Sequence, residues 1–128
     1  MQELCRRKLR QLKLLTEVED LTRQLQLALE RSDQVSATML ISMRQGPLQE
    51  LEELESGIQG YLRTLPWESA VRCNALLNGT QPEKPEEQQL GDTVARYRRQ
   101  LAAIIETDKR TSVRLGGKLS FYRMYGNG

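Results

Sequence analysis

LGDTVARYRRQLAAIIETDKRTSVRLGGKLSFYRMY, residues 90–125, is the stretch whose reading decides the fold. Its apolar positions Val94, Tyr97, Leu101, Ile104 and Ile105, then Leu115, Leu119 and Tyr122, recur mostly at steps of three and four, along one side of a helix. The stretch is long enough for about ten turns. A one-sided helix of that length needs long partners, and the chain upstream supplies them. The seam is polar around Asp108, Thr111 and Ser112 and resumes at Val113 and Leu115, with Gly116-Gly117 inside the second part. Each glycine costs a helix about 1 kcal/mol against alanine, so the half beyond Thr111 is the weaker one. Two readings stand: a polar layer in a bundle, or a detachable partner-binding segment over 112–125.

Working outward, residues 3–30 carry Leu14, Val18, Leu21, Leu25 and Ala28 at heptad-like steps, while Leu9, Leu12 and Leu15 widen the apolar side near the start. This helix therefore meets two neighbours. Ser32-Asp33 supplies a corner and an N-cap, since both side chains accept hydrogen bonds from exposed amides. Ala28, Ser32, Val35 and Met39 keep the same spacing, so periodicity also allows one helix to run through. Such a helix would be unusually long for a small domain, and the corner is the expectation.

The second helix is expected over 34–64, with Gly46-Pro47 kinking or interrupting it. Glu50, Glu52, Glu53 and Glu55 follow the proline, where negative charge favours a helix start, and read as a solvated face rather than a cation site. Leu65-Pro66-Trp67-Glu68 opens a short helix that Asn78-Gly79 ends, with Ala70, Val71, Cys73, Leu76 and Leu77 on its buried side. Trp67, the only tryptophan, reads as a plug at the corner. TQPEKPEEQQ, residues 80–89, has two prolines and no large apolar side chain and reads as a mobile linker within a single domain of 128 residues.

Composition sets limits on this bundle. Hydrophobic residues make up 38% and aromatics 5%, below the roughly 45–50% apolar content of ordinary domains, which suits long helices with narrow stripes. The net charge of +2 divides into +4 over 1–16, −7 over 17–90 and +5 over 91–128, so helices packed together neutralise one another in part. The Arg6-Arg7-Lys8 cluster with Arg10 and Lys13 reads as a solvated face. No apolar run approaches a membrane span and Met1-Gln2-Glu3 opens no signal-peptide core, which makes the cytosol the expected compartment. Cys5 and Cys73 belong to no paired motif and are expected as reduced thiols.

The chemistry-bearing patterns are few. There is no histidine, zinc pattern, nucleophile elbow or P-loop. Asp92, Glu106 and Asp108 do not share a helix side, so neither an enzyme nor a bound metal or cofactor is expected. Nucleic-acid binding is an alternative, because Arg96, Arg98, Arg99, Lys109, Arg110, Arg114, Lys118 and Arg123 share a helix with Tyr97, Phe121 and Tyr122. The tyrosines lie on the apolar seam and not among the arginines, which weakens that reading.

The heptad-like first helix, the Ser32-Asp33 corner, the Met43 to Leu51 segment MRQGPLQEL, and Ile104-Ile105, Asp108-Lys109-Arg110 and Leu115-Gly116-Gly117 in the last helix together resemble the flagellar export chaperones of the FlgN and FliT type. The double glycine and the mid-helix proline depart from an ideal long-helix chaperone. The resemblance implies a bacterial cytosolic protein that holds a late flagellar subunit, of the hook-filament junction or cap class, and delivers it to the export apparatus. It implies a partner-binding surface on the C-terminal helix, here Leu101, Ile104, Ile105, Leu115, Leu119, Phe121, Tyr122, Met124 and Tyr125, working by helix-in-groove exchange, with Met39, Met43 and Met124 suited to an adaptable apolar surface. The expected fold is an all-α antiparallel bundle of long amphipathic helices: a helical hairpin, a long C-terminal helix and one short extra helix. A homodimeric structural or adaptor coiled coil, with the C-terminal aromatic segment as its interface, is the alternative function.

Overall fold

The computed structural model describes residues 1–114, which form four helices: α1 (Gln2–Glu30), α2 (Gln34–Leu62), α3 (Trp67–Leu77) and α4 (Pro85–Arg114). The fold is an all-α bundle. α1 lies at its centre and packs along both α2 and α4, while α3 closes the base against α4 and the end of α2. α2 runs antiparallel to α1, since Gln11 meets Glu55 and Thr22 meets Arg44. α4 runs parallel to α1, because Lys8 lies against Tyr97, Thr16 against Gln100, and Thr22 at the level of Asp108. The arrangement is up, down, up, with the short α3 making the return.

The corner after α1 is built as its residues require. Ser32 takes a left-handed backbone, φ 58°, which turns the chain. Asp33 then caps α2 by accepting the Ser36 amide at 3.0 Å and the Ser36 hydroxyl at 2.7 Å, which hold its carboxyl below its ordinary pKa. Pro47 does not interrupt α2, which continues as one helix through it. α3 ends as its Asn78-Gly79 pair predicts: Gly79 sits at φ 98°, its amide reaches Leu76 O at 3.1 Å, and the Thr80 amide reaches Ala75 O at 3.0 Å, a Schellman arrangement.

Three apolar clusters stack along the bundle. At the base Leu4, Ile58, Leu62, Cys73, Leu76, Leu90 and Val94 bring all four helices together. In the middle Leu12, Leu15, Val18, Leu48, Leu51, Tyr97 and Ile104 join the three long ones. At the tip Leu21, Leu25, Ala28, Ala37 and Leu40 join α1 to α2. Both cysteines are free and buried, and burial raises the Cys73 thiol pKa.

The expected linker over 80–89 divides. Its second half is helical, because α4 begins at Pro85, and Pro at the first helical position sacrifices no hydrogen bond. Glu87 is the residue that orders it. Its carboxylate accepts the amides of Glu83 at 2.9 Å and Lys84 at 3.3 Å, the reach-back of a capping box. It also takes two hydrogen bonds from Arg72 of α3, Nε at 2.9 Å and Nη2 at 2.7 Å, a fork matched to a carboxylate.

The Arg72 bonds and the two amides hold the Glu87 pKa down, from 4.5 to about 2. A depressed carboxyl lends stability that is complete above its unfolded pKa and is lost as pH falls through its folded one. Urea midpoints measured between pH 5 and pH 2 should therefore fall, and Glu87→Gln should flatten that part of the slope.

Two glycines give opposite expectations. A Cβ at Gly91 would come within 2.3 Å of the Pro82 ring, whereas one at Gly60 meets nothing within 4 Å. Gly60→Ala should stabilise by up to about 1 kcal/mol through helix propensity. Gly91→Ala gains the same propensity but must push the Pro82 ring away, at roughly 1–3 kcal/mol for overpacking, and should lower the melting temperature.

Candidate protein-docking surface

The nine residues expected to bind a partner are spread over different surroundings. Ile104 is buried in the middle cluster, and Leu101 and Ile105 are half-buried against the same cluster. While α4 stays packed on α1, Ile104 serves the core and presents nothing to a partner. Leu115, Leu119, Phe121, Tyr122, Met124 and Tyr125 lie outside the described residues.

Trp67 is the main correction. It is not a plug: 78% of its surface is exposed. Pro66, at φ −55° and ψ 148°, turns the chain out of α2 and leaves Trp67 as the first residue of α3. α3 then carries two stripes. Cys73 and Leu76 face the base cluster, while Trp67, Ala70, Val71 and Asn74, at the i, i+3, i+4, i+7 spacing, share another side. The second stripe forms one wall of a groove of about 360 Å³, and Gln59, Leu62 and Arg63 at the end of α2 form the other. Val71, expected inside, is 49% exposed in this groove.

Leu62, itself buried in the base cluster, gives the groove an apolar floor. Among the described residues that line it, Arg63 is the one that carries a charge, and it is basic. Such a site fits a short run of apolar side chains with a carboxylate beside them. Tryptophan and arginine are both among the residue types enriched at binding hot spots.

A second feature, inside the bundle, has no counterpart in the expected site. Polar side chains occupy seam positions: Lys8, Gln11 and Thr22 on α1, Arg44 on α2, and Glu87, Asp108 and Thr111 on α4 are all buried. Arg44, 1% exposed, donates through Nη1 to Thr22 Oγ1 at 2.8 Å and to Asp108 Oδ1 at 2.9 Å, tying three helices at one level. This is the polar layer that the interrupted seam around Asp108 suggested. Burial raises the Asp108 pKa, while the hydrogen bond and charge of Arg44 pull it back.

Lys8 corrects the reading of the basic N-terminal cluster. Arg6, Arg10 and Lys13 are exposed, but Lys8 turns inward. Its ammonium sits 3.7 Å from the centre of the Tyr97 ring and donates to Gln11 Oε1 at 2.8 Å, and Gln11 in turn donates to Glu55 at 3.0 Å. Desolvation lowers the Lys8 pKa to about 8, with Glu55 opposing it and Arg98 adding to it. Tyr97 is buried with this ammonium over its ring, so its face is not open for a nucleic-acid base to stack on.

Among the described residues no group of three or more His, Cys, Asp or Glu is placed to hold a metal ion. None of the described helices is long and apolar enough to cross a membrane. Compared with protein-family models, curated proteins and solved structures, the chain matches none.

Proposed function

We propose that this chain is a protein-binding chaperone that holds an amphipathic helix of a partner in the groove between α2 and α3. The single observation that carries the reading is Trp67, a large aromatic held in the open beside Val71 over the apolar floor of Leu62. A bundle with so lean an apolar content has reason to bury its one tryptophan, and leaving it outside costs water contact that a partner would relieve. The sequence resemblance supplies the class of partner: a late flagellar structural subunit, of the hook-filament junction or cap class, held in the bacterial cytosol before export. Partner recognition then runs as helix-in-groove packing, with apolar anchors against Trp67 and Val71 and an acidic residue of the partner beside Arg63.

The test separates binding from folding. Trp67→Ala should weaken binding of a purified hook-filament junction or cap subunit by about 2 kcal/mol or more, as hot-spot truncations do. Its unfolding free energy, from urea denaturation, should stay within the range of an ordinary surface change, about 0.5 kcal/mol. Unchanged affinity in Trp67→Ala, measured by calorimetry, contradicts the groove as the docking site. Failure of every such subunit to bind the unmodified chain contradicts the flagellar assignment.

A further inference from the structure

Two stretches of the chain, far apart in sequence, hold several basic side chains and no acid. Residues 4–16 carry Arg6, Arg7, Lys8, Arg10 and Lys13, and residues 93–105 carry Arg96, Arg98 and Arg99. The fold sets them side by side. α1 and α4 run parallel, with Lys8 against the Tyr97 ring and Gln100 donating to Thr16 Oγ1 at 3.2 Å, so the two stretches share one level of the bundle.

Four of these cations are engaged within the fold. Lys8 is buried on Tyr97, Arg6 and Arg7 both meet Glu3, and Arg98 lies against Gly79 at the end of α3. The other four, Arg10, Lys13, Arg96 and Arg99, are exposed and make no hydrogen bond or ion pair with another described residue. They fall on one face. The contact of Thr16 with Gln100 marks the seam between the helices; Lys13 lies one turn before Thr16 and Arg96 one turn before Gln100, so they border the seam from its two sides. Arg10 is one turn from Lys13, and Arg99 is one turn from Arg96. Leu9, one turn before Lys13, is 41% exposed among them. Acids stand only at the borders of this face: Glu17 above it and Asp92 below it, where Asp92 accepts Gln88 Nε2 at 2.8 Å.

Like charges gathered on one face repel, and an external polyanion relieves that repulsion. Leu9 selects among polyanions. At an anionic bilayer the cations meet lipid phosphates, while an apolar side chain enters between the headgroups. A nucleic-acid backbone offers the phosphates but nothing for the leucine, and the face of Tyr97 is covered by Lys8.

We infer that the α1 and α4 face around Leu9 binds the surface of an anionic bilayer, with Lys13 and Arg96 at its centre. The Trp67 groove is built by α2 and α3 and shares no residue with this face, so the two surfaces work independently.

Flotation of the full chain with phosphatidylcholine vesicles, with and without phosphatidylglycerol, tests the inference. At low salt the chain should float with the anionic vesicles and not with the neutral ones, and it should leave them as salt rises to about 0.5 M. Lys13→Gln and Arg96→Gln in one chain should weaken that binding about 25-fold, about fivefold for each cation removed. Arg23→Gln and Arg31→Gln together, an equal loss of charge at the tip, should leave it within about twofold. Helicity by circular dichroism should be unchanged in both, since the replaced side chains are exposed. Leu9→Gln should weaken vesicle binding about threefold and leave the affinity for a random-sequence DNA duplex, read by fluorescence anisotropy, as it is in the parent. Absence of the chain from the anionic vesicles, equal binding to both kinds of vesicle, or equal losses in the seam and tip variants overturns the inference. A Leu9→Gln chain that binds anionic vesicles as well as the parent, or a parent that binds the duplex more tightly than the vesicles, overturns the choice of a bilayer.

Discussion

Arg44→Met should lower the unfolding free energy by about 3–5 kcal/mol, the usual cost of leaving a buried charge without its partner. The geometry supplies the reason. Asp108 is fully buried, its Oδ1 accepts Arg44 Nη1, and its Oδ2 has no hydrogen-bond partner among the described residues. Without Arg44 the carboxylate keeps no ion-pair partner among the described residues, in a site whose burial already raises its pKa. The Thr22 hydroxyl, which donates to Val18 O at 2.7 Å, loses its donor as well. The converse is as informative. Removing both charges, with Arg44→Met and Asp108→Leu in one chain, should recover most of the loss or exceed the original stability, because ion pairs in apolar surroundings seldom repay their desolvation. Urea denaturation of the three variants measures both effects, and equal losses in the single and double variants would show that the layer's worth is not in the pair.

The second large effect is a rise in stability with alkaline pH. Lys8 holds its proton in the unfolded chain up to about 10.5 and in the folded one only to about 8. Between those values the unfolded state binds more protons, so unfolding becomes harder as pH rises. The full difference corresponds to at most about 3 kcal/mol, and the Tyr97 face, which favours the charged ammonium, makes the true gain smaller. Lys8→Met keeps a chain of similar length on the ring and removes the charge. Its urea midpoint should exceed that of the parent at pH 7, and the gap should close as pH approaches about 10.5. A constant gap across that range would assign the difference to packing alone.

The polar layer at Asp108 is visible in the sequence, but its partner Arg44 and the buried Lys8 are concealed by the pattern. On α1 the true seam is Leu4, Lys8, Gln11, Leu15, Val18, Thr22 and Leu25, alternating steps of four and three without a break. Apolar residues alone define the line from Val18 to Ala28, but they start it at Leu14 and include Leu9, which is exposed. The heptad phase, extended backwards through whatever residue stood there, would have found Lys8 and Gln11. The same extension on α4 runs from Glu87 through Leu90, Val94, Tyr97, Leu101, Ile104 and Asp108 to Thr111, and predicts the helical start that composition disguised as linker. Helix count, the Ser32-Asp33 corner and the Asn78-Gly79 stop were legible because each rests on local chemistry within a few residues. Trp67 was misplaced for the opposite reason. Which way a ring points at a corner depends on the angle between α2 and α3, and no local pattern sets that angle.

Trp67 also offers the most direct measurement. As the only tryptophan in the chain it reports on the groove without labels, and at 78% exposure its emission should lie at the red end of the range. The measurement is a fluorescence titration of the full chain with tryptophan-free peptides spanning the terminal helices of hook-filament junction and cap subunits. Docking in the groove predicts a saturable blue shift with one of them, lost when Arg63 is reversed to glutamate. If peptides bind, as calorimetry would show, while the Trp67 emission stays at its solvent position, then the proposed docking in the groove is contradicted.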